Sequence, residues 1–287
     1  VIVKLTPNIT DVRYPARAAK AGGADAVSLI NTINSIMGVD PRTLTMVPST
    51  AGKGSHGGYC GPAVRPIALN MVAEIARDAE TAGIPISGIG GIGTWRDALD
   101  FLALGAGSVQ VCTAAMVYGF KIVQEMASGL SDYMDDMGFK SVSEIVGRAV
   151  PTVSDWRYLN LNHVSKAVID PDKCIECGRC HIACEDTSHQ AITVRKAPTV
   201  SPAPEPGAGG TAGSGAAQRP LKKDVARVFE VNEAECVGCN LCTLVCPVPE
   251  CITLRHLAPG ETDLRTAQPV SATPLNWTAH PNNPMRA

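Results

Sequence analysis

Between residues 1 and 130, short and almost continuously apolar runs alternate with stretches of helical periodicity. The runs are Val1–Leu5, Asp25–Asn31, Ile84–Ile89 and Ser108–Thr113; the periodic stretches are Arg13–Ala21, Arg65–Glu80, Trp95–Leu104 and Tyr118–Leu130. Strands apolar on both faces belong in parallel sheets covered by helices. The pattern therefore predicts an α/β region of four βα units in series. Four units make half of a (β/α)8 barrel, a fold that usually takes ~250 residues, and a lone half would leave its edge strands unpaired. Val1 already sits inside the first strand, so the expectation is that residues 1–150 form the second half of a barrel whose first half lies upstream; a small open sheet is the alternative. On that count Ile84–Gly91 is strand seven with its loop and Ser108–Thr113 is strand eight.

After residue 130 the pattern changes. A short helical stretch is predicted over Ser141–Val150, then a connector, 151–169, with Pro151, Trp156 and Tyr158. A cysteine-rich module follows over 170–255. It is interrupted at 197–219 by a segment dominated by Pro, Gly, Ala, Ser and Thr, too poor in apolar surface to offset its ordering entropy and expected to be disordered. Residues 256–287 are rich in Pro and Asn and predict an extended tail, either a docking arm or a loose end.

Composition narrows the class. The 287 residues are 45% hydrophobic and 18% charged with a net charge of −2, which suits a globular protein with a real core and gives no electrostatic case for nucleic acid or an anionic membrane. No apolar run reaches the ~20 residues that span a bilayer, and Val1–Leu5 running into a polar turn is not the start of a signal peptide. Nine of the 11 cysteines lie beyond residue 170, in metal-ligand spacing rather than as a secreted disulfide framework. A reducing, cytoplasmic setting fits that better.

The spacing itself is specific. Cys174-x2-Cys177-x2-Cys180-x3-Cys184 recurs as Cys236-x2-Cys239-x2-Cys242-x3-Cys246-Pro247. Three thiolates on a tight loop reach three irons of one cubane, and the fourth, at the start of the following helix, completes the other. One [4Fe–4S] cluster is thus assigned to Cys174, Cys177, Cys180 and Cys246, the second to Cys236, Cys239, Cys242 and Cys184. The expected module is ferredoxin-like and α+β, with backbone N–H groups near Gly178 and Gly238 donating to cluster sulfurs. Zinc would show paired C-x2-C without the third and fourth cysteines. Glu185 replaces the Pro that often follows such a motif, at a position that binds no iron. Cys251 reads as a small buried thiol.

In the barrel region, Gly88-Ile89-Gly90-Gly91-Ile92-Gly93 follows a strand and precedes a helix. Such a turn lets backbone N–H groups approach a phosphate, though a tight turn with positive φ explains the glycines equally well. Lys4 stands in an apolar strand, either snorkelling to solvent or facing a bound anion. Asn31-Thr32 ends the second strand, where amide and hydroxyl groups either read a polar heterocycle or serve turn chemistry. Gly57–Pro62 is a loop leading into the Arg65 helix.

Taken together, Lys4-Leu5-Thr6-Pro7-Asn8, Asn31-Thr32, Gly61-Pro62-Ala63-Val64-Arg65-Pro66, Gly90-Gly91 and Gln110-Val111-Cys112-Thr113-Ala114 resemble the FMN barrel of the dihydroorotate/dihydropyrimidine dehydrogenase family. The tandem cysteine module directly after such a barrel resembles the bacterial NAD-dependent dihydropyrimidine dehydrogenase branch, in its iron–sulfur, FMN-containing subunit. The resemblance implies that Lys4 lies against the flavin N1/O2 region, that Gly61, Ile89, Gly90, Gly91, Cys112 and Thr113 contact FMN, and that Asn31 and Thr32 bind the pyrimidine. It implies hydride transfer to C6 of uracil or thymine and protonation at C5. The acid is a cysteine in the family's first barrel half, outside this sequence, and the role passes to neither Cys60 nor Cys112.

No second glycine-rich dinucleotide fingerprint is present, so NADH oxidation is expected on a partner, by resemblance an FAD/NAD(P) reductase subunit. Clusters pass single electrons while a flavin also delivers a hydride; the cysteine module reads as a relay between the two. Two other readings stand beside it: a dihydroorotate dehydrogenase-type flavoenzyme using the clusters as an outlet, and a non-catalytic electron-transfer protein with a degenerate barrel. A half barrel by itself is expected to bind FMN poorly and to turn over no pyrimidine.

Overall fold

The computed structural model describes residues 1–198 and 225–285. The disorder expected at 197–219 falls, beyond Pro198, outside the described residues. The chain divides into two compact units, Val1–Ser154 and Asp155–Ala287.

The first unit is built on four parallel strands, β1 (Ile2–Lys4), β2 (Ala26–Leu29), β7 (Ile86–Ile89) and β8 (Ser108–Gln110), in the order β1-β2-β7-β8. Between β2 and β7 lie four short strands, β3 (Ile33–Ser35), β4 (Gly38–Val39), β5 (Met46–Val47) and β6 (Gly57–Tyr59). Helices α1 (Arg13–Ala21), α2 (Arg65–Arg77) and α3 (Trp95–Ala103) follow β1, β6 and β7. Register is set by Val3 opposite Val27, Leu29 opposite Gly88 and Ile89 opposite Gln110. β1 and β8 are the edges of this sheet, so among the described residues it is open, and no closed barrel forms.

Of the four runs that read as buried strands, the central pair β2 and β7 is buried, while the edge strands β1 and β8 are not, with Val1 and Ile2 exposed. Val27, Leu29, Val72, Ile75 and Phe101 form the core with Leu5, Val12 and Ala68. Phe101 packs so closely on β7 that a Cβ at Gly88 would stand 2.5 Å from its ring. α3 begins at Thr94, whose side chain accepts from the Asp97 N–H while Asp97 reaches back to the Thr94 N–H, a capping box.

Three local expectations are corrected. The helix expected over Tyr118–Leu130 is two helices, α4 (Thr113–Tyr118) and α5 (Lys121–Met137), because Gly119 takes φ 82° between them. The helical stretch expected over Ser141–Val150 is reduced to single 3-10 turns at Val142–Glu144 and Val150–Thr152. The loop before α2 is partly ordered: β6 pairs antiparallel with β3, Tyr59 opposite Ile33, and β4 pairs with β5.

The second unit is α+β. Strand β9 (Ser165–Ile169) leads through the first cysteine loop into α6 (Arg179–Glu185) and β10 (Ile192–Pro198); β11 (Val225–Val231) leads through the second loop into α7 (Leu241–Val245) and β12 (Ile252–His256). β9 pairs with β12 and β10 with β11, both antiparallel, and α6 packs on α7. The core is small and sulfur-rich: Cys180, Cys236, Cys242 and Cys251 are buried with Ala167, Ile192, Phe229 and Ile252.

The tail is neither extended nor loose. It forms a short hairpin of β13 (Thr262–Asp263) and β14 (Gln268–Pro269). Farther on it is tied to the connector: the Leu161 N–H donates to the Leu275 carbonyl at 2.6 Å and the Asn162 amide to the Thr273 carbonyl at 2.7 Å. Asparagine side chains thus satisfy backbone groups of the Pro-rich segment that no strand satisfies. Among the described residues no helix is long and apolar enough to cross a membrane.

Candidate active site and metal centres

The C-terminal ends of the four parallel strands open into a cavity of about 730 Å³. Parallel sheets place ligand sites at this end. Lys4, Asn31, Thr32, Gly61, Ile89, Gly90, Gly91, Cys112 and Thr113, the nine residues named from the sequence, all line it. Lys4 ends β1 and is exposed; it does not lie mid-strand. Cys60 lines the cavity too and accepts a hydrogen bond from the Thr113 hydroxyl at 3.3 Å.

Glycine is required where the two loops meet. Gly91 has φ 74°, and a Cβ there would stand 2.7 Å from the Gly61 carbonyl oxygen and 2.9 Å from Arg65 Cβ. Backbone, not side chain, therefore faces the cavity at this turn. The next amides are already engaged: Asp97 Oδ2 accepts from the Gly93 N–H at 3.0 Å and the Thr94 N–H at 2.9 Å. Its other oxygen lies 2.9 Å from the Arg65 guanidinium, which also reaches Asp100 at 2.6 Å. Burial raises the Asp100 carboxyl above its ordinary range, with Arg65 opposing the shift.

Sequence reasoning gave no role to the Gln110 side chain. Its amide donates to Ser28 Oγ at 2.9 Å and to Ser87 Oγ at 2.8 Å, and Ser108 Oγ donates to Ser87 at 2.9 Å. Ser28 and Ser87 are buried, so the ladder satisfies polar groups that would otherwise be costly and holds Gln110 at the cavity. The signal was present as serines interrupting apolar strands at paired register positions, Ser28 with Ser87 and Ser87 with Ser108.

A flavin mononucleotide fits this donor set: a cation at Lys4, apolar walls at Ile30, Val64 and Ile89, and a turn that only glycine can form.

The cysteines fall into two groups. Cys174, Cys177, Cys180 and Cys246 line one small cavity with Gly178; Cys184, Cys236, Cys239 and Cys242 line another with Gly238. Each holds three cysteines of one motif and the fourth of the other, and Cys251 lines the first cavity as well. None of the 11 cysteines forms a disulfide. Among the described residues no three Cys, His, Asp or Glu side chains converge on a single metal ion; a cubane asks instead that each thiolate reach a different iron. The donor set, three thiols of one motif and the fourth of the other around each cavity, fits a [4Fe–4S] cluster.

The fourth cysteines are not at helix starts as expected. Gly178 (φ 79°) and Asn240 (φ 66°) start α6 and α7 inside the motifs, so Cys184 falls in the last turn of α6 and Cys246 just after α7. Burial pushes the Cys242 thiol up to about 11 and the Cys251 thiol up to about 12, and Cys251 is buried as expected.

Comparison with known proteins follows this division. Residues 1–134 match the family model for dihydroorotate dehydrogenase, and residues 167–205 and 214–254 match that of the 4Fe-4S dicluster domain. The NAD-dependent dihydropyrimidine dehydrogenase subunit PreA of Escherichia coli K12 is 46% identical over 192 residues, 67% of this chain and 47% of that protein. The matches are thus to the dihydroorotate and dihydropyrimidine dehydrogenases, with the first family model covering residues 1–134 of the 287. The chain's relatives include the catalytic subunit of dihydroorotate dehydrogenase B (NAD(+)) from Pyrococcus abyssi, 44% identical over 52% of this chain and 48% of that one. The chloroplastic dihydropyrimidine dehydrogenase (NADP(+)) of Arabidopsis thaliana is 40% identical over 52% of this chain and 36% of that one. The matches span about half the length of PreA and of the Pyrococcus subunit, and less of the plant protein.

Proposed function

We propose that this chain is part of a subunit that reduces uracil or thymine to the 5,6-dihydropyrimidine, with electrons arriving from NADH through a partner flavoprotein and two [4Fe–4S] clusters. The observation that carries the reading is the joint lining of one cavity by Lys4, the glycine turns and Asn31-Thr32, in a chain that also carries the cysteine module.

FMN would be held by Lys4, Gly61, Ile89, Gly90, Gly91, Cys112 and Thr113, and when bound it supplies hydride and single-electron chemistry. Lys4 offsets negative charge at the ring edge. The backbone of the glycine turns takes the phosphate, with Asp97 holding the turn and Arg65 neutralising Asp97. Asn31 and Thr32 offer donors and acceptors to a ring that alternates carbonyl and N–H groups. Ile30 and Val64 exclude water. The two sets of four cysteines would each bind one cluster, whose chemistry is one-electron transfer. A partner reductase and a reducing, cytoplasmic compartment belong to the same reading.

The test is NADH-dependent loss of uracil absorbance when the full-length protein is mixed with its reductase partner; no turnover of uracil or thymine would overturn the proposal. A second reading, dihydroorotate oxidation, is favoured by the family match over residues 1–134. Orotate turnover exceeding that of uracil would establish it instead.

A further inference from the structure

Lys166 is 1% exposed, and among the described residues it is the buried cation. Burying an ammonium is costly unless it is paired and hydrogen-bonded. Its Nζ lies 2.6 Å from Asp263 Oδ1 and donates to the Cys236 carbonyl at 2.9 Å. The next residue, Ala167, donates its N–H to Cys236 Sγ at 3.5 Å and lines the cavity of Cys184, Cys236, Cys239 and Cys242. One end of this ion pair is therefore on the backbone of a cysteine ligand, and the other is on the C-terminal hairpin.

Asp263 is fixed by its own neighbours. It accepts from the Arg265 N–H at 3.2 Å and the Thr266 hydroxyl at 3.2 Å, and the Lys166 hydrogen bond holds its carboxyl below the ordinary range. Across the strand pair, Arg255 stands opposite Lys166 and pairs with Glu233 and Glu261. Those side chains are 34–41% exposed, so solvent screens them and their contribution is small. Lys166 is not screened in that way. The first set, Cys174, Cys177, Cys180 and Cys246, has no buried cation beside it among the described residues.

From this we propose that Lys166, set in place by Asp263, is a positioning residue that raises the reduction potential of the cluster held by Cys184, Cys236, Cys239 and Cys242 above that of its neighbour. The inference rests on the reading that these cysteines bind a cluster. Taking up one electron adds one negative charge to a cluster. A fixed, desolvated cation nearby favours that state, and the charge and hydrogen bonding around a cluster are what set its potential.

The experiment is an EPR-monitored redox titration of the anaerobically purified full-length protein and four variants. Lys166→Met removes the cation and leaves the Asp263 charge, so at a fixed potential the reduced-to-oxidised ratio of one cluster should fall about tenfold, a shift of about 59 mV for a one-electron couple. Asp263→Asn leaves the cation uncompensated, so the ratio of the same cluster should rise. Lys166→Arg should stay near wild type. The cluster that moves should be the one whose signal is lost in Cys239→Ala. A purely structural pair predicts something else: both substitutions shift the potential the same way, or shift neither, and either result overturns the proposal. If Lys166→Met does not fold, the sign of the Asp263→Asn shift decides. Wild-type protein with no cluster signal would instead refute the ligation reading itself.

Discussion

Asp97 and Arg65 face each other at 2.9 Å across the mouth of the strand-end cavity. The pair solves a problem of charge. Asp97 closes the capping box of α3 and holds the Gly93 and Thr94 amides, but it also puts a negative charge in a cavity proposed to hold a phosphate. Arg65 cancels that charge without covering the turn. Arg65→Gln should therefore weaken FMN retention more than it lowers stability, because the box survives while Asp97 and Asp100 are left uncompensated. Asp97→Asn should cost about 0.3–1 kcal/mol of stability at the start of α3, where Asp97 is the N3 residue of the box. Flavin content after gel filtration, measured beside Tm, separates the two effects.

Gly91→Ala tests the turn more directly. The new Cβ would meet the Gly61 carbonyl at 2.7 Å in a backbone with φ 74°. The left-handed conformation alone costs an alanine about 1–2 kcal/mol. The expected result is loss of the flavin absorbance band with iron content unchanged.

The proposed ligation predicts a pairing of phenotypes. Cys184→Ala should resemble Cys239→Ala, and Cys246→Ala should resemble Cys174→Ala, each removing about half of the iron and acid-labile sulfide. If Cys184→Ala instead matched Cys174→Ala, each motif would be self-contained. Metal analysis and EPR of the four variants decide this.

Acid should loosen the first unit through Asp78. Arg17 on α1 donates to both Asp78 oxygens, at 2.9 and 2.6 Å, and these hydrogen bonds hold the Asp78 carboxyl below its ordinary value. Because the folded-state value is depressed, the contribution is complete above the unfolded value of about 3.9 and is lost as pH falls through the folded one. Asp78→Asn should remove it at all pH values, lowering Tm by about 2–4 °C at neutral pH and flattening the decline below pH ~4. Circular dichroism melts across a pH series would show this.

The strands and helices of the first unit were readable because each run is long enough for its period to speak, and α1 occupies the predicted span, Arg13–Ala21. What escaped has a common cause. The β3–β6 pair is three residues a side and glycine-rich, with β6 fully exposed, so neither strand shows alternation. The break at Gly119 lies inside a continuous amphipathic pattern, where one glycine is tolerated as often as not. At the site, the glycine turns and cysteine spacings are local and could be named from the sequence. Asp97 with Arg65, Gln110 with Ser28 and Lys166 with Asp263 join residues distant in sequence. Their partners exist only once the fold brings them together.

The exchange of fourth cysteines has one more consequence. Neither motif is a self-sufficient electron carrier on the proposed ligation, because Cys184 serves the second loop and Cys246 the first. A domain cut between β10 and β11 would yield two pieces, each with three ligands of one cluster and one of the other, and a half transplanted from a relative would have to bring a helix that delivers its cysteine to a foreign loop. On the proposed ligation, neither half can therefore assemble its cluster without the other.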